Sequence, residues 1–149
     1  MSTTNVALRQ VLLSQHAHLR ETIARAQQAA RELLLKSGSV ANLQAAVEAL
    51  ESELRAHLAD EEALLEPVLA TIDAWGPVRL GLLRAEHAHQ RAILAVLSGP
   101  RAWPAASLVA QRTISLCADV LADMEAEERE FLDEKVLHDD LVLLDASDC

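Results

Sequence analysis

Aromatic residues are nearly absent from this 149-residue chain, which has one Phe, two Trp and no Tyr. Glycine and proline are also scarce, with four of each, so the chain has little material for the tight turns of β-hairpins. Its hydrophobic share is nonetheless 51%, made up mainly of Leu, Ala and Val. This composition excludes intrinsic disorder and favours helices over sandwiches or barrels.

Positive charge is in short supply as well, since 13 basic residues face 23 acidic ones and the formal net charge is −10. Nucleic acids and anionic membranes are bound through Lys and Arg, so we expect neither as a partner, whereas the negative field attracts cations. No uninterrupted apolar run in the sequence approaches the roughly 20 residues of a membrane span.

Cysteine is limited to Cys117 and Cys149, which form neither a Cys-x-x-Cys pair nor a disulfide framework. The N-terminal residues lack the basic segment, apolar core and cleavage site of a signal peptide. Together these features predict a reduced protein in the cytoplasm.

Short Gly- and Pro-containing stretches divide the chain at residues 37–39, 71–77 and 98–104. Such clusters end helices, and between them lie four segments of helical composition at about 4–36, 40–70, 77–98 and 104–134. Because short connections between long helices imply antiparallel neighbours, we expect an all-α fold, an up-down-up-down antiparallel four-helix bundle. We expect one domain over 1–149, with the bundle at about 4–134 and a short C-terminal tail at 135–149. Pro67 should kink or fray the last turn of the second helix.

Polar residues interrupt the apolar stripes that run along these segments at spacings of three and four. His16 interrupts the first stripe, His57 and Glu61 the second, and His87 the third. His57 and Glu61 share one helix face because they are four residues apart. Buried charges are costly unless they are paired or bind a metal, so these interruptions require an explanation.

The chain also repeats itself around these positions. Gln-His-Ala-His-Leu-Arg at His16 returns as Glu-His-Ala-His-Gln-Arg at His87. His-Leu-Ala-Asp-Glu-Glu from His57 is matched in the fourth segment by Asp-Met-Glu-Ala-Glu-Glu from Asp123. Two similar hairpins would bring their inward groups to one level, where imidazole and carboxylate ligands suit iron, manganese or zinc and suffice for two adjacent metals. The alternative is a pH-sensitive polar layer without metal, in a helical interaction module.

Other residues near these motifs are given lesser roles. His18 and His89 lie two residues beyond the stripe positions, about 200° around the helix, so we expect them to be solvated or to lie behind the ligands. Cys117 falls on the fourth stripe and is expected to be a small core residue.

In these motifs the chain resembles the hemerythrin-like family with its HHE cation-binding domain, over about residues 8–134. The resemblance implies a four-helix bundle holding a non-heme di-iron centre. The family pattern has a His on the first helix, His-x-x-x-Glu on the second, a His on the third and His-x-x-x-Glu on the fourth. The matching positions are His16, His57 with Glu61, and His87. The resemblance thus implies two iron ions, or another divalent metal, bound at these residues.

The fourth segment departs from the family pattern, because residues 104–134 contain no histidine. Alignment of the two Glu-Glu pairs places Asp123 at the missing His and Glu127 as its carboxylate partner. Alignment of the apolar stripe places Met124 there instead, with Glu128 inward. We favour Asp123 and Glu127 as ligands, because a carboxylate binds iron readily and a thioether binds it poorly. Glu128 remains the alternative ligand.

For function, the resemblance implies reversible oxygen binding, oxygen or redox sensing, or handling of iron or peroxide. The absence of Tyr and the walls of Leu, Ile and Ala favour binding or sensing of dioxygen. An Asp in place of His favours a di-metal oxidase or oxygenase acting on a small molecule, because a harder ligand stabilises ferric iron. We expect dioxygen or a small molecule as the partner, and the sequence predicts no oligomeric state.

Overall fold

The computed structural model describes residues 4–99 and 103–139. Within them the chain forms five α-helices, numbered in chain order: α1 (Asn5–Leu34), α2 (Val40–Leu64), α3 (Glu66–Ile72), α4 (Gly76–Ser98) and α5 (Ala106–Glu130). A short 3-10 turn, Trp103–Ala105, precedes α5, and these two ranges contain no strand. The predicted all-α class is confirmed.

The starts of the helices follow from local chemistry. Thr4 and Ser39 precede α1 and α2, and each side-chain hydroxyl oxygen accepts from the backbone N–H three residues later at 3.1 Å. α3 and α4 instead carry Pro67 and Pro77 in their first turns. A proline is tolerated there because the N–H that it lacks has no partner within the helix.

The second predicted segment, 40–70, consists of two helices rather than one helix with a frayed end. α2 ends at Leu64, and Pro67 lies in the first turn of α3. Leu65 lies between the two helices and is fully buried. Pro67 would break the interior of α2, so the chain ends that helix and starts another in which the proline is tolerated.

The long helices pack side by side. α1 contacts both α2 and α5, while α4 contacts α5, α2 and the short α3. These contacts are consistent with a four-helix bundle made of α1, α2, α4 and α5.

Two apolar clusters form the core, and a polar layer lies between them. On α1 and α4 the polar residues of this layer lie between a member of one cluster and a member of the other, as Glu61 and Glu127 do near the ends of α2 and α5; His57 lies one turn before Glu61, beside the larger cluster. The flanking members are Leu12 and Leu19 on α1, Leu58 and Leu65 around Glu61, Leu83 and Leu94 on α4, and Met124 and Phe131 around Glu127. The polar residues therefore lie at one level between two dry regions.

The chain leaves helical structure after Glu130, earlier than the predicted end near 134. Phe131, Leu132 and Leu137 follow in turns and bends, and all three are buried in the smaller apolar cluster. The start of the predicted tail therefore covers one end of the helices. The remainder of the tail, including Cys149, lies outside the described residues.

The stretch Trp103–Glu130 is long and apolar enough to cross a membrane by length and composition alone. Core helices pass the same test, and here α5 packs against α1 and contributes to the larger apolar cluster. This stretch is accordingly a weak indication of a membrane span.

Candidate metal centre

Four buried side chains from three helices converge in the polar layer. His16 comes from α1, His57 and Glu61 from α2, and Glu127 from α5, and each offers one atom within 4.8 Å of those of the others. His16 and Glu61 have no exposed surface, and Glu127 is 3% exposed. Two imidazoles and two carboxylates at this separation can hold a metal ion.

The atoms that face one another in this group leave buried polar groups unpaired. Nε2 of His16 lies 3.2 Å from Oε2 of Glu127 and 3.8 Å from Oε1 of Glu61. Nε2 of His57 lies 3.4 Å from the same Glu61 oxygen. Yet Nε2 of His16, Oε1 of Glu61 and Oε2 of Glu127 make no hydrogen bond. Because buried polar atoms are normally satisfied, three such atoms facing one point fit a bound cation.

His87, on α4, reaches the layer from the other side of Glu61. Its Nε2 lies 3.0 Å from Oε2 of Glu61, whereas Oε1 of that carboxylate faces His16 and His57. Glu61 therefore offers one oxygen to each side. A carboxylate between two sets of ligands is able to bridge two adjacent metal positions.

Carboxylates outside the layer hold two of the three histidines. Nδ1 of His16 lies 2.9 Å from Oε1 of Glu128, and Nδ1 of His87 lies 3.1 Å from Oε1 of Glu62. Because an ionised carboxylate only accepts, each Nδ1 carries a proton and donates it to the hydrogen bond. In a neutral imidazole this leaves the lone pair on Nε2, which faces the interior, as a metal-binding histidine requires.

The third histidine, His57, is held by an amide instead. Its Nδ1 lies 2.9 Å from Oε1 of Gln15, whose Nε2 donates to Oδ2 of Asp60 at 2.7 Å. The donation to Asp60 identifies the amide atom facing His57 as oxygen, so Nδ1 donates here as well. All three histidines therefore present Nε2 to the interior.

Burial and the contacts between side chains determine which groups of the layer are charged. Burial lowers the pKa of His16, but the neighbouring carboxylates, Glu127 foremost, outweigh it and raise that pKa to about 10. Burial raises the pKa of Glu61, but contacts with His16 and His87 outweigh it and hold the pKa well below its usual range. The layer thus pairs a charged imidazole with an ionised carboxylate, an arrangement in which a cation can substitute for the imidazole proton.

Each of the two alignments of the sequence assigned two residues of α5 to the interior, and in each case one of the two is buried. Met124, from the stripe alignment, and Glu127, from the Glu-Glu alignment, are both buried. Asp123 is half-buried, its Oδ2 accepts from Nε2 of Gln90 at 2.8 Å, and it is not among the four clustered groups. Glu128 lies behind His16. Inward positions three residues apart arise because 3.6 residues per turn alternates spacings of three and four.

Sequence reasoning did not identify Gln15 and Glu62 as partners of the histidines. The available signals were their places in the repeats, since Gln15 precedes the first His and Glu62 is the second member of a Glu-Glu pair. His18 and His89 are exposed, as expected. Nε2 of His18 lies 3.4 Å from Oε1 of Glu53, and Nε2 of His89 lies 3.6 Å from Oδ2 of Asp119.

Comparison with known proteins relates the chain to a family of cation-binding domains. Residues 7–134 match the family model described as the hemerythrin HHE cation binding domain. Searches of curated proteins and of solved structures gave no match. The matched range includes the polar layer and nearly the whole of the four long helices.

Proposed function

The chain belongs to the hemerythrin HHE cation-binding domain family, and we propose that it is a non-heme di-iron protein that binds or senses dioxygen. The proposed architecture is an up-down-up-down antiparallel bundle of α1, α2, α4 and α5. The observation that carries the proposal is the convergence of three imidazole Nε2 atoms on the buried carboxylate of Glu61, with each Nδ1 anchored outside.

Two iron positions are proposed, one on each side of Glu61. The first is formed by His16, His57, Glu61 and Glu127. The second takes His87 and the other oxygen of Glu61. Asp123, the fourth-helix ligand expected from the sequence, stays a prediction, since its carboxylate accepts from Gln90. Another divalent metal would use the same ligands, but zinc has no accessible higher oxidation state, whereas ferrous iron would supply the electrons with which dioxygen is bound.

The surroundings of the layer favour a diatomic ligand over a larger substrate. The cleft that reaches His57 between α1 and α2 has a volume of about 180 Å³, whereas pockets for small organic molecules typically have about 300–1,000 Å³. A surface cleft of about 410 Å³ lies against Glu86 and Asp123, but neither residue is one of the four clustered groups. Apolar clusters lie on both sides of the layer, and the chain has no Tyr to donate a proton or an electron. These features support binding or sensing over substrate oxidation.

The proposed partner is dioxygen or another small molecule, with neither nucleic acid nor membrane. The net charge of −10 supports the exclusion of anionic partners. The proposed location is the cytoplasm, because the free, buried thiol of Cys117 is typical of a reducing compartment.

A di-metal oxidase or oxygenase acting on a small molecule, or a protein that handles iron or peroxide, is the second candidate. The number of carboxylates favours it: Glu61 and Glu127 face inward, and Asp123 stands where the family has a histidine. Oxygen ligands stabilise ferric iron, which promotes net reduction of oxygen. An interaction module without metal has less support, because it leaves three buried atoms of the layer unpaired.

Metal stoichiometry after anaerobic loading with ferrous iron and desalting tests the proposed centre. We expect about two irons per wild-type chain, as in a di-iron bundle, and loss of iron from His16→Ala/His87→Ala. The matched control is His18→Ala/His89→Ala, which removes the two exposed histidines of the same motifs and should retain the iron. About one iron per chain would reject the di-iron assignment. No iron, zinc or manganese would reject the metal centre.

Exposure of the loaded protein to oxygen separates the two candidate functions. An optical change that reverses when oxygen is removed, without continued oxygen consumption, supports binding or sensing. Steady oxygen consumption in the presence of a reductant supports the oxidase instead.

A further inference from the structure

Glu128, on α5, connects a buried histidine to an arginine at the surface. Its Oε1 accepts from Nδ1 of His16 at 2.9 Å and forms an ion pair with Nη1 of Arg20 at 2.8 Å. The Glu128 side chain is 29% exposed, whereas His16 is fully buried. One carboxylate therefore joins a surface charge to an imidazole in the interior.

The same arrangement recurs around His87. Glu62, on α2, accepts from Nδ1 of His87 and from two guanidinium nitrogens of Arg91, of which Nη2 lies at 2.9 Å. In both copies the arginine lies four residues after the histidine, on the same helix face, and the glutamate comes from a neighbouring helix. The two copies, Glu128–Arg20 and Glu62–Arg91, are called the outer clamps.

An ordinary surface ion pair in the same molecule shows what distinguishes the clamps. Glu66 and Arg84 are joined by two hydrogen bonds of 3.1 and 2.9 Å. Within the described residues this pair contacts no histidine, its arginine is 61% exposed, and ion pairs with a solvent-exposed partner contribute little to stability. Glu62 and Glu128 differ because each also orients a buried ring.

We propose that Glu62 and Glu128 are positioning residues for the metal centre: each, held by its arginine, fixes a histidine with Nδ1 protonated and Nε2 turned inward. The inference rests on the proposed function, since it concerns the ligands of that centre. A carboxylate that accepts from a metal-binding histidine sets the ring orientation and increases the donor strength of the other nitrogen. The arginine keeps the carboxylate from rotating away.

His57 supplies an internal contrast to the clamped histidines. Its Nδ1 donates to the neutral amide of Gln15, and within the described residues that amide is held by the carboxylate of Asp60 and not by an arginine. We therefore expect His57 to be oriented without the increase in donor strength that a carboxylate gives His16 and His87.

The test compares Glu62→Ala and Glu128→Ala with Glu66→Ala as the matched control. Each purified variant is checked for helix content by circular dichroism, and its affinity for ferrous iron is measured anaerobically by competition with a chromogenic chelator. We expect an affinity about 10–100-fold lower for each clamp variant and an unchanged affinity for Glu66→Ala. The melting temperatures before iron loading should fall more in the two clamp variants than in Glu66→Ala, because each clamp variant also leaves Nδ1 of a buried histidine without its acceptor.

Conservative variants separate orientation of the ring from simple ion pairing. In Glu62→Gln and Glu128→Gln the amide oxygen still accepts from Nδ1, so we expect an affinity between those of the wild type and the alanine variants. If the glutamate acted only through its ion pair with the arginine, the affinity for iron would fall as much with glutamine as with alanine. Arg20→Gln and Arg91→Gln leave the carboxylate in place, and they provide the measurement if an alanine variant does not fold.

The outcomes distinguish the inference from the function on which it rests. If the wild type binds iron and every clamp variant binds it equally tightly, the positioning role is wrong and the metal centre stands. A loss in Glu66→Ala equal to that of the clamp variants would also overturn the role. If the wild type binds no iron, zinc or manganese, the proposed function fails and the inference fails with it.

Discussion

The two halves of the molecule, α1 with α2 and α4 with α5, share one motif and use it differently. Each supplies a histidine with an arginine four residues later, and each supplies a Glu-Glu pair whose first member lies in the layer. The halves differ at the next ligand position. The first half has His57 held by Gln15, whereas the second has Asp123 near Glu86. One histidine with its orienting contacts and one layer glutamate are therefore duplicated, whereas the next ligand position is not.

Concentration of negative charge is the physical consequence of this difference. Burial raises the pKa of Glu86 to about 7, and the charge of Asp123 acts in the same direction. The Oε2 atom of Glu86 is buried without a hydrogen bond. The second half thus places carboxylates where the first half has an imidazole and an amide. We infer that the two proposed metal positions differ, with more nitrogen ligands in the first and more oxygen ligands in the second.

The largest effect is expected at Glu61, because its two oxygens face both halves. Glu61→Gln keeps the shape of the side chain but removes the charge that three histidines face. We expect metal binding to be lost, because the remaining ligands of the two halves no longer share an anion. The free energy of unfolding before metal loading should fall by about 3–5 kcal/mol, as for a broken buried ion pair. Elemental analysis and chemical denaturation measure these effects.

Glu48→Gln is the matched control for this variant, because Glu48 is exposed on the same helix. We expect it to retain its metal and to change the free energy of unfolding by less than about 0.5 kcal/mol. A Glu61→Gln protein that binds metal normally would show that the two halves do not depend on a common carboxylate.

The next largest effect is expected at the end of the first half, where α3 follows α2. The second half has no such helix, because α5 is followed by turns. Gly76 begins α4 against α3, and a Cβ there would lie 1.9 Å from the backbone oxygen of Leu69. Gly76→Ala must push the two helices apart, so we expect destabilisation by about 1–3 kcal/mol.

Gly81→Ala is the matched control in the same helix, because a Cβ at Gly81 meets nothing within 4 Å. This variant should be stabilised by about 0.5–1 kcal/mol, since alanine loses less conformational freedom in a helix than glycine. Thermal denaturation measures both variants. Equal melting temperatures of the two variants would show that the close approach of α3 to α4 does not contribute to stability.

Local patterns in the sequence were sufficient for the all-helical class and for the interior residues of the first half. Spacings of three and four singled out His16, His57 and Glu61 as inward positions, and all three are buried. This succeeds because the face on which a residue lies depends only on its own helix. The repeat then extended the argument to His87, which is also buried.

Features that depend on packing between elements could not be derived in this way. Pro67 marks the end of α2, but the second helix that follows it, in place of a frayed end, buries Leu65 and Leu69 in the smaller cluster, which is a tertiary effect. The rotation of α5, with Met124 and Glu127 inward, has no histidine to mark it. The outer clamps join different helices, so their formation depends on helix positions that periodicity does not supply.

Making the second half resemble the first sharpens the comparison. Asp123→His/Glu86→Gln reproduces the pair that His57 and Gln15 form in the first half. We expect the second step of an anaerobic ferrous titration to become roughly tenfold tighter, about 1.4 kcal/mol, because an imidazole replaces a carboxylate ligand. Asp119→His, on the exposed side of α5, is the control and should leave this step unchanged. An unchanged second step in the double variant would show that the repeat does not extend to the ligands.

The smallest effect is expected where the halves meet, at Cys117 of α5. Its thiol donates to the backbone oxygen of Ile23 on α1 at 4.0 Å, and burial raises its pKa from 9.0 to about 12. Because the unfolded chain ionises first, the contribution of the thiol to stability is complete below about pH 9 and is lost as the pH rises toward 12. Between about pH 8 and about pH 10.5, the melting temperature of Cys149→Ser should therefore fall slightly more steeply than that of Cys117→Ala/Cys149→Ser. Parallel curves would mean that α1 and α5 do not exclude water at this contact between the halves.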